Sequence, residues 1–177
     1  MENEELKDFK ITTDHEEFKA HKFVLAARSP TFASIFKKNV HAETLNLIDI
    51  STKVFSVVLD FIYTVNLPQT DEVDFIELLK VSERFKIEKL KKFSARKLIN
   101  QVNSENALEI LTLSNSFGYD ELKQKAFEEI KKIFDTETID DDLANKPEKL
   151  KKLIDFKIKK NQILAEMEEN FKQILSS

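Results

Sequence analysis

The residues of this sequence that could carry out acid–base or metal chemistry are few and widely separated. The three histidines, His15, His21 and His41, fall in unlike segments, and the chain has no cysteine. A zinc site needs three or four such ligands at short spacing, and nucleophilic catalysis needs a base within hydrogen-bond reach of the nucleophile. We therefore predict no metal site, no cofactor and no enzymatic activity. His21, at the start of a predicted helix, is interpreted as a structural residue or else as a direct partner contact.

Acidic and glycine-dependent ligand sites are equally poorly supported. The cluster Asp140–Asp142 lacks the spaced ligands and the turn glycine of a calcium loop, so we interpret it as a solvated linker. The chain contains one glycine, Gly118, which excludes the glycine-rich loops that hold phosphates and dinucleotides. A small-molecule substrate is not expected.

The charge pattern argues against nucleic acid and membrane partners. Lysine pairs recur in KLKKF, IKKIF, KLKKL and IKKN and could suggest a phosphate-binding face. They lie opposite apolar stripes and alternate with glutamate, so a solvated face is the simpler interpretation. Lys and Arg total 28 against 32 Asp and Glu, a net charge of −4, whereas nucleic-acid binders usually present a basic face. No stretch reaches the roughly 18 apolar residues of a membrane span, and no signal region is evident, so an intracellular protein of the nucleus or cytoplasm is expected.

The elements that would position these residues begin with a small sheet. Residues 8–20 alternate apolar and polar side chains and predict a hairpin, and ETLNLIDI predicts a third strand. Residues 21–28, HKFVLAAR, predict a short helix that is apolar nearly all round and so is covered on more than one side. Ser29 is the predicted N-cap of the next helix, and Pro30 is its first residue.

The rest of the chain predicts helices, separated by one acidic loop. In chain order they are the segment VFSVVLDFIYT, a helix capped by Asp71 that ends near Arg84, a helix from about Ile87 to Val102, a helix opened by Asn103 or Ser104 and closed by Gly118, a helix capped by Asp120, and a final helix from Pro147 to about Leu175. This order predicts an α+β domain followed by an all-helical extension.

The stretch HKFVLAARSPTFASIF resembles the hallmark helix pair of the BTB/POZ domain, most closely that of the speckle-type POZ branch. Four further stretches are similar to the family in register: DFKIT, VFSVVLDFIYT, LLKVSERFKIEKLKKF and VNSENALEILTLSNSFGYDELKQKAFEEI. The last of these resembles the first helices of a BACK region. The resemblance implies a BTB/POZ fold, with a small mixed sheet of about three strands flanked by helices.

The resemblance also implies a domain organisation. It places a BTB/POZ domain at 6–102 and a BACK-like helical hairpin at 103–134. Outside the resemblance, the acidic and poorly periodic residues 135–146 are interpreted as a linker, and residues 147–177 as a C-terminal helix. The last helix either packs back on the hairpin or pairs with another chain. No segment resembles a MATH domain or kelch blades, so a complete substrate receptor is not expected.

The family resemblance implies an adaptor that pairs with itself or with related BTB proteins. The positions that would form the dimer interface are Leu6, Asp8, Phe9, Lys22 and Val24. Only MENEEL precedes the first predicted strand, so the swapped N-terminal helix of the family dimer is expected to be largely missing.

Many members of the family also bind the cullin three scaffold of a ubiquitin ligase. The cullin-facing positions implied here are Phe36, Val40, Glu43 and Tyr63. The family motif of apolar residue, any residue and Glu reads Val40-His41-Ala42, with Glu43 one place late. This departure leaves open an oligomerisation or decoy module that does not bind cullin. A transcription-regulatory scaffold is a third, less favoured alternative, because zinc fingers and a basic face are absent from the sequence.

Overall fold

The computed structural model describes residues 6–67, 69, 72–133, 141–155 and 157–158. It divides the chain into two compact units, Met1–Asn100 and Gln101–Ser177. The first unit contains β1 (Phe9–Thr12), β2 (Glu17–Ala20), α1 (Lys22–Arg28), α2 (Pro30–Lys38), β3 (Thr44–Asn46), α3 (Thr52–Thr64), α4 (Phe75–Arg84) and α5 (Glu88–Ile99). The second contains α6 (Ala107–Phe117), α7 (Asp120–Ile133), a 3-10 helix at Asp141–Asn145 and a helix over residues 147–155.

The three strands form one mixed sheet with β1 at its centre. β1 pairs antiparallel with β2, where Phe9 lies opposite Ala20, and parallel with β3, where Lys10 lies opposite Thr44. Phe9 and Ile11 point to one face of the sheet and are buried, as the alternating pattern predicts. The predicted α+β class, with its small three-stranded sheet, is therefore confirmed.

Capping chemistry explains where α2 and α4 begin. Ser29 is the N-cap of α2 and accepts a hydrogen bond from the Phe32 amide, with Pro30 at the first helical position, which confirms that prediction. The prediction that Asp71 caps α4 is wrong, because the cap is Asp74. The Asp74 carboxylate accepts hydrogen bonds of 2.9 Å from Ile76 N and 3.0 Å from Glu77 N.

A continuous series of phenylalanine rings joins the sheet to the helices of the first unit. Successive ring centroids lie 4.8, 6.0, 4.6, 6.3 and 5.4 Å apart. In order of contact the rings are Phe9, Phe36, Phe32, Phe85, Phe55 and Phe18. Each such pair adds about 0.5–1.5 kcal/mol beyond its burial, so this series stabilises the packing of the sheet on the helices.

Helix α1 buries fewer of its side chains than its sequence predicts. Its sequence is apolar nearly all round, but Leu25 is the one residue that it buries fully. Phe23 is 83% exposed. The expectation that α1 is covered on more than one side is therefore wrong for the single chain.

The second unit is a helical hairpin followed by shorter helices. α6 begins at Ala107 with Asn106 as N-cap, so the predicted caps Asn103 and Ser104 are wrong. The Asn103 carboxamide oxygen instead accepts from the amides of Glu105 and Asn106 and closes a turn before the helix. Gly118 ends α6 at φ 73°, as predicted.

The predicted acidic linker and C-terminal helix are only partly within the described residues. Residues 134–140 and 159–177 lie outside them. Of the predicted loop, Asp141–Asn145 is a 3-10 helix, in which Ala144 is buried. The helix over 147–155 buries Leu150.

Candidate interaction surface

The side chain of Asp8 is hydrogen-bonded to the backbone of Lys22 at the start of α1. The Asp8 carboxylate accepts a hydrogen bond of 2.8 Å from the backbone N–H of Lys22, the first residue of the helix. The first amides of a helix have no acceptor within it, and its N-terminus carries partial positive charge, so an anion is stabilising there. The Lys22 ammonium lies 5.9 Å from the centroid of the Phe9 ring.

The other predicted dimer residues differ greatly in exposure. Leu6 is 66% exposed and Val24 is half-buried, whereas Phe9 is only 3% exposed. The Phe9 ring meets Phe36 edge to face, so it is already covered within the chain. Phe23, which the sequence analysis did not select, is the most exposed of the large apolar residues in the described part of the chain.

The predicted cullin-facing residues of the α2–β3 segment include one prominent apolar side chain. Phe36 is half-buried between the rings of Phe9 and Phe32. Val40 is 72% exposed in the loop that follows α2. Glu43 is exposed, and its carbonyl accepts a hydrogen bond of 2.9 Å from the amide of Lys10, which fixes the loop to β1.

Tyr63 bonds to the residue that precedes α1. Its hydroxyl accepts a hydrogen bond of 2.9 Å from the His21 backbone N–H and lies 2.8 Å from His21 Nδ1. Because a hydroxyl has one proton and two lone pairs, it can donate to a neutral Nδ1 while accepting from the amide. Tyr63 is 37% exposed, so it both holds the start of α1 and presents part of its ring to solvent.

The carboxylates with shifted pKa values in the first unit have structural partners. The pKa of Asp14 is lowered by hydrogen bonds from the side chain and amide of Thr52. The pKa of Glu83 is lowered by hydrogen bonds from the ammonium groups of Lys86 and Lys91. Neither is one of the predicted site residues. Across the residues that the structure describes, no three His, Asp or Glu side chains group as metal ligands would.

The most exposed apolar side chains at or beside the predicted positions are Phe23 and Val40, each on a short segment held by hydrogen bonds at its edges. Ile48, also 72% exposed, was not selected from the sequence. The one sequence feature that pointed to Phe23 was the all-round apolar character of α1. That character predicts burial on several sides of the helix, which the single chain does not provide. No described helix has both the length and the apolar character of a membrane span.

Comparison with known proteins identifies a family for the first unit. The sequence profile of the BTB/POZ domain matches residues 1–102. The solved BTB domain of zebrafish PATZ1 is 33% identical, with a match that covers 53% of this chain and 75% of that one, at a TM-score of 0.46. The BTB (Tramtrack and Bric a brac) domain of human gigaxonin is 22% identical, covering 52% of this chain and 77% of that one, also at a TM-score of 0.46. Residues 103–177 lie outside the profile match.

Proposed function

Because the chain belongs to the BTB/POZ family, whose domain is a non-enzymatic module for protein–protein interaction, we propose that it pairs with itself or with a related BTB domain. The observation that carries this proposal is the 83% exposure of Phe23 on α1. Burying a phenylalanine side chain contributes roughly 1.5–3 kcal/mol, and a two-fold interface uses the same patch from both partners. Self-association would therefore bury two such rings.

The surroundings of Phe23 support this assignment. Half-buried Val24 follows it on α1, and Leu6, 66% exposed, stands before β1. The Asp8 carboxylate and the Lys22 ammonium contribute charges of opposite sign to the same area. An apolar centre with a charged rim is typical of protein interfaces.

Sedimentation of the wild type and two variants tests the proposal. Phe23→Asp should convert a dimer into a monomer that remains folded, since the ring is exposed in the folded chain. Ile48→Asp is the matched control, because Ile48 is comparably exposed at 72% and lies outside α1. A wild type that is monomeric and also fails to bind related BTB domains would contradict the proposal, as would equal dissociation by both variants.

A second proposed function is docking of the cullin three scaffold through the loop after α2. The observation in its favour is Val40, an apolar side chain that is 72% exposed at the position implied by the family resemblance. Calorimetry with the cullin N-terminal domain should show binding that Val40→Asp abolishes and Ile48→Asp retains. If the wild type self-associates but does not bind cullin, the oligomerisation or decoy alternative is favoured.

We also propose that the second unit is a BACK-like extension of the speckle-type POZ branch. The support is the hairpin of α6 and α7, which buries Ile110 and Leu111 from one helix and Leu122 and Ile130 from the other. Deleting residues 147–177 tests whether the following helix belongs to this unit. A lower melting temperature would favour packing on the hairpin, whereas unchanged stability with lost self-association would favour pairing with another chain.

A further inference from the structure

Helix α5 carries more cationic side chains than find partners among the described residues of its own unit. It contains five cations, two of which have partners: Lys91 pairs with Glu83, and the Lys97 ammonium lies 5.8 Å from the Phe93 ring centroid. The remaining three are Lys89, Lys92 and Arg96, all exposed. Their spacing of three and four residues places them on one side of the helix. Among the residues described by the structure, none of these three has an ion-pair partner.

These three cations border an apolar groove, which we name the α3–α5 groove. Its volume is about 360 Å³. Its apolar lining comes from Phe61 and Val65 at the end of α3, Leu67 in the loop that follows, and Phe93 of α5. Leu67 is 37% exposed and Phe93 is half-buried, so the groove has accessible apolar surface within reach of unneutralised positive charge.

The backbone at Val65 gives an independent reason to regard this groove as functional. Val65 ends α3 in the left-handed conformation, at φ 61°. A β-branched residue is strained there, and glycine is the usual choice, as at Gly118 where α6 ends at φ 73°. The strain leaves an isopropyl group in the lining of the groove, where glycine would leave none.

We propose that the α3–α5 groove binds an acidic amphipathic segment of a partner protein. Apolar side chains of that segment would lie on Val65, Leu67 and Phe93, and its carboxylates would pair with Lys89, Lys92 and Arg96. The eight residues from Lys89 to Arg96 span about 10 Å along the helix axis, which matches carboxylates on two successive turns of a partner helix. No residue of α1, the helix proposed for self-association, lines this groove.

Charge and shape together favour a peptide over nucleic acid as the occupant. Phosphate backbones are bound by extended basic faces, whereas this chain has a net charge of −4 and the cations here form a single short row. Apolar side chains in the lining match leucine or phenylalanine better than phosphate and sugar. An amphipathic helix that lays its apolar face into an apolar groove is a recurring mode of peptide recognition.

Fluorescence anisotropy with the full chain tests the proposal, with labelled EELFEELLEEF as the probe. Two control peptides are EEQQEEQQEEQ, which keeps the charge, and KKLFKKLLKKF, which keeps the apolar residues. We expect the probe to bind, both controls to bind at least about tenfold more weakly, and added salt to weaken probe binding. Lys92→Glu and Leu67→Asp should each raise Kd at least about tenfold, whereas Lys38→Glu, at an exposed lysine on α2, should not.

A pair of backbone variants separates groove contact from general stability. Val65→Gly should raise the melting temperature because it relieves the strain, and should also weaken probe binding because it removes a lining side chain. Lys86→Gly relieves a comparable strain at φ 56° outside the groove, so it should leave Kd unchanged.

Several results would overturn the proposal. They are the absence of probe binding at high micromolar protein, equal binding of the probe and either control peptide, and unchanged Kd in Lys92→Glu. Tighter binding of an oligo-dT strand than of the probe would identify nucleic acid as the occupant instead. Loss of self-association in Lys92→Glu would identify a second copy of the chain instead. A monomeric wild type that binds the probe would overturn self-association alone and leave the groove assignment in place.

Discussion

The hydroxyl of Ser29 donates a hydrogen bond of 2.6 Å to the main-chain carbonyl of Phe85, which lies 56 positions later in the chain. The same oxygen accepts a hydrogen bond of 3.2 Å from the amide of Phe32. One buried side chain thus caps α2 and also fixes the turn between α4 and α5. The rings of Phe32 and Phe85 stack at 4.6 Å, so polar and aromatic contacts act on the same two segments.

Ser29→Ala should therefore be among the more costly small substitutions in the first unit. It removes an N-cap and leaves the buried Phe85 carbonyl without that donor, so we expect a loss of about 2–3 kcal/mol in the free energy of unfolding. Urea denaturation followed by circular dichroism measures this loss. Ser34→Ala is the control, because Ser34 is exposed on α2 and should change stability by less than about 0.5 kcal/mol. Equal effects of the two variants would contradict the role of Ser29.

The Asp8 carboxylate should stabilise α1 as a hydrogen-bond acceptor more than as an ion-pair partner of Lys22. Asp8→Ala removes the acceptor for the Lys22 amide and should cost about 0.5–1 kcal/mol, whereas Asp8→Asn keeps an acceptor oxygen and should cost less. Lys22→Met should cost less than about 0.5 kcal/mol, as is usual for exposed charges. Urea midpoints of the three variants distinguish the two roles. An ion pair would be indicated instead if Asp8→Asn and Lys22→Met were each as costly as Asp8→Ala.

The boundaries that depend on local chemistry could be predicted from the sequence. Ser29 with Pro30, and Gly118, have the residue types that a helix start and a helix end require, whatever the rest of the chain does. The start of α4 could not be placed in the same way, because Asp71 and Asp74 are both of a residue type that caps helices and their local sequences do not distinguish them, whereas the structure has Asp74 as the cap. The strands were predicted from their alternating apolar and polar residues, and in β1 this alternation places Phe9 and Ile11 on the buried face.

The exposed apolar residues were harder to predict, because the composition of an apolar helix does not say which of its sides the fold leaves in solvent. The composition of α1 indicates burial, and the single chain leaves Phe23 exposed. The conformation of Val65 had no sequence signal at all, since valine disfavours φ 61°. The cations of the α3–α5 groove were visible as a lysine-rich helix, but the apolar side chains beside them come from α3 and its following loop, so only the folded chain places them together.

The Glu83 carboxylate should make stability depend on pH in the acidic range. Hydrogen bonds from Lys86 and Lys91 lower its pKa in the folded chain, so folding favours the charged form. The stabilisation is complete above the unfolded pKa of about 4.3 and is lost as the pH falls through the lower folded value. Glu83→Gln should therefore destabilise the protein at pH 7 and flatten the decline in stability below about pH 5. Urea midpoints from pH 7 to pH 3 measure this, with exposed Glu16→Gln as the control. An unchanged pH dependence in Glu83→Gln would contradict the assignment.

Gly118 should be required for its backbone conformation alone. A Cβ atom built at this position would meet no atom within 4 Å, so space is not the constraint, but φ 73° disfavours residues other than glycine. Gly118→Ala should cost the second unit about 1 kcal/mol, the lower end of the usual left-handed penalty. Hydrogen exchange with mass spectrometry should show about fivefold faster exchange of the slowest amides in α6 and α7, with the first unit unaffected. Gly118→Asn, which tolerates the left-handed region better, should show a smaller increase. A similar or larger increase in Gly118→Asn would indicate a steric constraint in place of the conformational one.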